Sequence, residues 1–300
     1  MVKIAYDPIY NHPLPEGHRF PMLKYELIPE QLMHLGIVDK QHFFKPAILN
    51  EQFITLAHKP HYWERLKNRT LSASEVRRTG FVLTEELVAR EVCIMSGTMM
   101  ASDFALVNGL AFNVAGGTHH AGSDWGEGFC LLNDQAIAAH YLLHEKKASK
   151  ILIIDLDVHQ GNGTAEIFEH QAAVFTFSMH SKRNFPFKKE HSDLDIGLAD
   201  GTGDEVYLTI LEKNLRRLVD EVRPDFVFYL AGVDVLETDK LGRLNLSKKG
   251  CKRRDELVFN CCKQFGLPVQ VSLGGGYSPL IKDIVDAHCN TFKVAIETLF

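Results

Sequence analysis

The stretch Lys150-Ile151-Leu152-Ile153-Ile154-Asp155-Leu156-Asp157-Val158-His159-Gln160-Gly161-Asn162-Gly163 decides the fold class. Its first half, Lys150–Asp155, is apolar without polar alternation, as a strand covered on both faces is. Its second half places Asp155, Asp157 and His159 at every other position, so in extended backbone they point to one face. Working outward, the same short apolar runs recur at Lys3–Tyr6, Leu110–Ala115, Ala173–Ser178, Phe226–Ala231 and Val269–Leu273. Helix-like stretches lie between them: Glu85–Val107, Asp134–Glu145, Glu205–Val222 and Ser247–Phe265. Strand–helix alternation predicts an α/β fold, with a central parallel sheet flanked by helices on both faces. Asn133 and Asp134 suit a helix N-cap, and Asp204 suits the cap before Glu205.

In such folds the site lies outside the carboxyl ends of the strands, so the residues after each run carry the chemistry. Leu110–Ala115 is followed by Gly116-Gly117-Thr118-His119-His120. Phe226–Ala231 leads to Asp234, and Val269–Leu273 leads to Gly274-Gly275-Gly276-Tyr277. An Asp-x-His pair is a weak signal alone, because charged residues often end strands harmlessly. With Asp234 it becomes a three-ligand set suited to a borderline divalent cation such as zinc, with a position left open for water. Two adjacent histidines after a Gly-Gly turn fit a pair in which one abstracts a proton while the other orients or stabilises charge. A lone histidine is more often structural than catalytic, and no chemistry is assigned to His12, His34, His42, His140, His144, His170, His191 or His288. The Gly274–Gly276 run lacks the G-x-G-x-x-G spacing of a dinucleotide fingerprint and reads instead as close backbone approach to a ligand.

Length and composition agree with one domain over residues 1–300: 45% hydrophobic and 24% charged residues fit an ordinary globular chain. The formal charge of -5 excludes a strongly basic nucleic-acid binder. The basic runs Lys182–Lys189 and Lys248–Arg254 read as solvated faces, without nucleic-acid contact. No stretch has 18 uninterrupted apolar residues, so no membrane span is expected. Met1–Pro8 carries Lys3 and Asp7 and no apolar core, so no signal peptide is expected. Six cysteines without a C-x-x-C pair point to reduced thiols and a cytoplasmic location.

The motifs Gly117-Thr118-His119-His120, Gly128-Phe129-Cys130, Asp155-x-Asp157-x-His159-x-Gly161-x-Gly163, Ala231-Gly232-x-Asp234 and Gly274-Gly275-Gly276-Tyr277 run in one order across most of the chain. Together they resemble the histone deacetylase superfamily, with its arginase/deacetylase fold. Asp155–Gly163 and Asp234–Phe259 look most like the class IV branch and its bacterial relatives. The resemblance implies a zinc-dependent amidohydrolase that removes an acyl group from lysine in a protein or peptide. An acylated polyamine is the alternative substrate, and a non-enzymatic acyl-lysine reader the alternative class.

By the same resemblance Asp157, His159 and Asp234 are zinc ligands, and His119 and His120 are the acid/base pair. Asp155 stands behind His119 and Asn162 behind His120, while Tyr277 polarises the scissile carbonyl. Gly128, Phe129, Phe185 and Gly275 line the acyl-lysine channel. A structural potassium ion is implied at Asp155, main-chain oxygens of Asp157, His159 and Met179, and the Ser178 hydroxyl. An arginase-type binuclear site needs aspartates at positions 161 and 236, where this chain has Gly161 and Leu236. Two further expectations concern the mouth. Short connections around Ser181–Asp204 leave it open, and Asp124, Glu127, Glu237 and Asp239 flank the motifs in sequence, where they either line the rim and favour cationic substrates or stand behind the site or in solvent. Acyl length, oligomeric state and the choice between zinc and iron are not set by these motifs.

Overall fold

The apolar runs pair edge to edge in the computed structural model, which describes residues 1–300. The first third of the chain holds β1 (Lys3–Ala5), α1 (Lys24–His34), β2 (Phe43–Phe44), α2 (Ile54–Ala57), α3 (Pro60–Lys67), α4 (Ala73–Thr79) and α5 (Glu85–Asn108). The middle holds β3 (Leu110–Asn113), α6 (Asp134–His144), β4 (Ile151–Asp155), α7 (Asn162–Phe168), β5 (Val174–Ser181) and β6 (Leu194–Leu198). The rest holds α8 (Asp204–Val222), β7 (Phe226–Leu230), α9 (Lys248–Phe265), β8 (Val269–Ser272) and α10 (Ile281–Leu299). All eight strands join one sheet in the order β2-β1-β3-β8-β7-β4-β5-β6, and every pairing is parallel.

That order positions the site. The chain lays down β3 and β4 with a gap between them, and β7 and β8 later fill it. The carboxyl ends of β3, β8, β7 and β4 therefore stand side by side at mid-sheet. Every residue of these four strands is buried, which explains why each reads as an unbroken apolar run. Phe112 of β3 stacks on Phe292 of α10 with ring centroids 4.1 Å apart. Burying such a ring contributes roughly 1.5–3 kcal/mol.

Helix ends follow local chemistry in most places. Thr84, Asn133 and Ser247 accept amide hydrogen bonds at the starts of α5, α6 and α9, while Gly109 and Gly266 close α5 and α9 in left-handed backbone. Asp204 departs from its expected role. The boundary residue of α8 is Gly203, and Asp204 lies in the first turn with its carboxylate accepting from the Ser247 amide (2.8 Å) and hydroxyl (2.6 Å). It thereby ties the start of α8 to the start of α9. The run Lys248–Arg254 is not wholly a solvated face either. Arg254 is 0% exposed, paired with Asp255 at 2.8 Å, and donates to the carbonyls of Leu156 and Gly232.

Candidate active site

Three buried side chains converge where β4 and β7 end. Asp157 Oδ1 accepts from the His159 amide and Asp157 Oδ2 from the Gly275 amide, both at 2.9 Å. Asp234 Oδ1 accepts from the Val158 amide at 2.9 Å. These backbone bonds fix both carboxylates against the β4–α7 loop and the turn after β8. His159 Nδ1 lies 2.9 Å from Asp157 and 3.1 Å from Asp234. The potential ligand atoms of the trio fall within 4.8 Å of one another.

The trio fits a divalent cation. Asp234 Oδ2 is buried with only the poorly aligned His159 Nδ1 at 3.1 Å beside it, a costly arrangement that a cation relieves. Space for it is kept by glycine: a Cβ at Gly275 would sit 2.1 Å from that oxygen, and one at Gly232 would sit 2.3 Å from Asp157 Oδ2. Burial and the Asp157 carboxylate push Asp234 up to about 7. Burial opposes charge on His159, but hydrogen bonds to Asp157 and Asp234 outweigh it and lift its pKa to about 10. Both shifts show that the two buried carboxylates draw positive charge to this point, which a divalent cation held by them and a neutral imidazole would supply.

The histidine pair follows β3 on a turn held by a buried carboxylate. Asp134 Oδ1 accepts from the amides of Gly117 and Thr118 at 2.9 Å, and Asp134 Oδ2 from Thr98 and Ser272 at 2.7 Å. Gly117 has φ +74, and a Cβ there would lie 2.6 Å from Gly274 Cα, so the two glycine turns touch through bare backbone. His119 Nδ1 lies 2.7 Å from Asp155 Oδ2, and His120 Nδ1 lies 2.7 Å from Asn162 Oδ1. The rings are 4.1 Å apart at their centroids.

Their surroundings drive the two imidazoles apart. Burial opposes charge on His119, but Asp155 and Asp157 outweigh it and raise its pKa. Burial, together with the neighbouring His119 and His159, takes His120 well below the ordinary range. The tautomer of His120 is also set. Asn162 donates through Nδ2 to Glu127 Oε1 at 2.7 Å, so its Oδ1 must face His120 and accept the Nδ1 proton. Nε2 is left with a free lone pair. Asn162→Asp is expected to raise the His120 pKa, because a carboxylate stabilises imidazolium where an amide does not. With His120 as the general base of the reaction proposed below, which must be neutral to act, the acid limb of the pH–rate profile should move to higher pH. A limb that stays in place would show that position 162 does not couple to the base.

A cavity of about 490 Å³ reaches this floor. Its lining includes Gly128, Phe129, Phe185, Gly275 and Tyr277. Gly128 has φ +57, and a Cβ there would lie 2.7 Å from His120 Cδ2 and 3.0 Å from Phe185 Cε1. Phe185 meets His120 edge-on at 4.9 Å, and Phe129 lies 6.0 Å from Tyr277. Tyr277 is placed by its own amide, which donates to Asp239 Oδ2 at 2.6 Å. Asp155 pairs across the sheet with Ser178, whose hydroxyl lies 2.9 Å from His180 Nδ1.

Of the four acidic residues, Glu127 alone lines the cavity. Asp239 is consumed by the amides of Leu241, Gly242 and Tyr277. Asp124 pairs with Lys59 and His61, and Glu237 is exposed away from the cavity. Glu127 does line the cavity, but it is occupied with Asn162 and Arg78. Nor is Ser181–Asp204 merely a short connection: it contains β6 and supplies Arg183, Phe185 and Phe187 to the lining. Sequence reasoning also missed Phe20, 5.2 Å from Phe129 and 6.2 Å from Tyr277. Lys24 was missed too; it is fully buried and donates to the Gly274 carbonyl at 2.7 Å, and burial lowers its pKa to about 8. A lysine opening a helix is usually solvated, so no local signal marks it.

Residues 18–292 match the histone deacetylase domain family, and the chain belongs to it. It is 44% identical to an uncharacterized protein of Picosynechococcus sp., over 97% of both chains. It is 29% identical to histone deacetylase 2 of Arabidopsis thaliana, covering 92% of this chain and 74% of that one. Against human histone deacetylase 1 the identity is also 29%, over 97% of this chain but only 63% of the longer protein. Among solved structures, the HDA15 HD domain superposes with a TM-score of 0.84 at 21% identity, covering 99% of this chain and 88% of that one. No helix is long and apolar enough to cross a membrane.

Proposed function

We infer that this protein is a zinc-dependent deacylase, which removes an acetyl or longer acyl group from the ε-amine of lysine in a protein or peptide. The observation that carries the reading is the buried Asp157–His159–Asp234 group at the floor of a cavity walled by aromatic rings. An ion held there supplies Lewis acidity to the amide carbonyl and the attacking water. Asp157, His159 and Asp234 hold it. His120 takes the water proton at Nε2, and as imidazolium it donates to the leaving amine. His119, whose charge Asp155 favours, stabilises negative charge developing in the transition state. Tyr277 donates a hydrogen bond to the carbonyl oxygen as it becomes an oxyanion. Phe129 and Phe185 exclude water along the alkyl stem of lysine, and Gly128 and Gly275 keep the channel narrow. The structural potassium site at Asp155, Asp157, His159, Ser178 and Met179 belongs to the same proposal.

The test is a panel of one lysine peptide acylated from acetyl to myristoyl, with metal content measured on the same preparation. Turnover of at least one member by protein holding one zinc-class ion per chain supports the reading. Binding of the panel without turnover by metal-loaded protein would make it a reader instead. Tyr277→Phe is expected to lower turnover by about two orders of magnitude or more, with metal content and melting unchanged, because it deletes one oxyanion donor. An unchanged rate would move carbonyl polarisation elsewhere.

A further inference from the structure

Six arginines line the cavity: Arg19, Arg77, Arg78, Arg90, Arg183 and Arg243. Arg90 is buried and engaged with Glu91 and the Tyr10 carbonyl. The other five are exposed, and they line the cavity from four chain segments. Arg19 precedes Phe20, which packs on Phe129 and Tyr277. Arg77 and Arg78 precede Thr79, whose carbonyl accepts from the Phe129 amide at 2.9 Å, while the Arg78 carbonyl accepts from Gly128 at 3.0 Å. Arg183 lies two residues before Phe185, and Arg243 two residues after Leu241, whose carbonyl holds Asn184 at 2.5 Å. Each of these arginines thus lies within two residues in sequence of a group anchored at the channel.

Two carboxylates face these five cations. Glu127 lies 3.4 Å from Arg78, and Asp200 is shared between Arg243 at 3.3 Å and Arg183 at 4.0 Å. Arg19 and Arg77 make no ion pair. The chain as a whole carries a formal charge of -5, so a positive mouth is a local arrangement and not a general bias. Phe187, 89% exposed, adds an apolar surface at the same opening.

We propose that the arginine-lined mouth selects acyl-lysine held in an acidic peptide segment, with Asp or Glu side chains flanking the modified lysine. This rests on the deacylase reading and names its substrate class. A polyamine, cationic along its length, meets like charge at this opening. A peptide whose lysine enters the channel leaves its neighbours at the rim, within reach of Arg19, Arg77, Arg183 and Arg243.

The test uses three peptides with the same acyl-lysine core, flanked by acidic, serine or basic residues. Binding is followed by fluorescence anisotropy, kcat/KM is measured for each peptide, and an uncharged acyl-lysine amide reports the reaction alone. The acidic peptide is expected to exceed the basic one by about tenfold in both readouts at low salt, shrinking at ~0.5 M salt. In the Arg19→Glu, Arg77→Glu double variant the acidic-to-basic ratio should fall to unity or invert. Taking the ratio within one preparation cancels any loss of folded protein. Equal behaviour of the three peptides, with the small amide turned over, would overturn the proposal. So would a preference that follows a carboxylate on the acyl group, or inhibition by a single-stranded oligonucleotide at concentrations where the acidic peptide has no effect. If the small amide is inert, the deacylase reading fails, while the binding ratios still decide the charge preference.

Discussion

Replacing Asp234 with alanine is expected to remove the metal and the activity together. Asp157 and His159 would remain, and two protein ligands rarely retain zinc in water against the three or four of natural sites. Metal content should fall from about one ion per chain to below ~0.1, and turnover by ~10³-fold or more. Elemental analysis and an acyl-lysine assay on the same sample check both. The variant gives up the hydrogen bond to the Val158 amide, but it also removes a carboxyl group that burial and Asp157 push up to about 7. Losing an unfavourable buried charge should let the chain stay folded, which a thermal melt reports. A variant that keeps its metal would place the ligands elsewhere, and two tightly bound ions in the parent protein would contradict a mononuclear site.

Arg254→Met is expected to cost about 3–5 kcal/mol of stability, because it leaves a buried carboxylate without its counter-charge. Asp255 takes Arg254 Nε at 2.9 Å, Tyr229 Oη at 2.5 Å and Thr291 Oγ1 at 2.7 Å, so it cannot move to water without breaking a network. Arg254 also donates to the carbonyls of Leu156 and Gly232, which adjoin the Asp157 and Asp234 loops. Loss of stability should therefore come with weakened metal retention. Urea unfolding of the single variant and of Arg254→Met with Asp255→Leu separates the terms. Replacing both partners should recover much of the loss, since hydrophobic pairs of similar volume tolerate such sites. A cost under ~1 kcal/mol for the single change would mean that water or another cation already serves Asp255.

Much of the molecule is legible in local pattern. The buried runs at β3, β4, β7 and β8 read as strands because both faces are covered. The residues after them read as a site because parallel strands expose their carboxyl ends. Asn133 announces the start of α6, since a side-chain oxygen before an apolar run meets an orphan amide whatever the fold. β6 stayed hidden because it is an edge strand, half exposed, and Leu194–Leu198 lacks the apolar run of an inner strand. Two-residue β2 is too short to carry a pattern.

What the sequence by itself determined was an α/β chain with parallel strands, and four strand ends bearing a His pair, an Asp-x-His, an Asp and a Tyr. Only the tertiary structure decided that β7 and β8 insert between β3 and β4, so that Asp234 and Tyr277 stand beside His159. It alone turned Arg254 inward, set Glu127 to orient Asn162, and lined the cavity with arginines where the sequence allowed an acidic rim. The reason is physical. Propensity and periodicity act over a few residues, whereas the fate of a charged side chain depends on which distant segment lies opposite. A carboxylate met by backbone amides, as Asp239 is, has its charge taken up within the fold, and a guanidinium with no carboxylate opposite it, as at Arg19 and Arg77, stays exposed and unpaired.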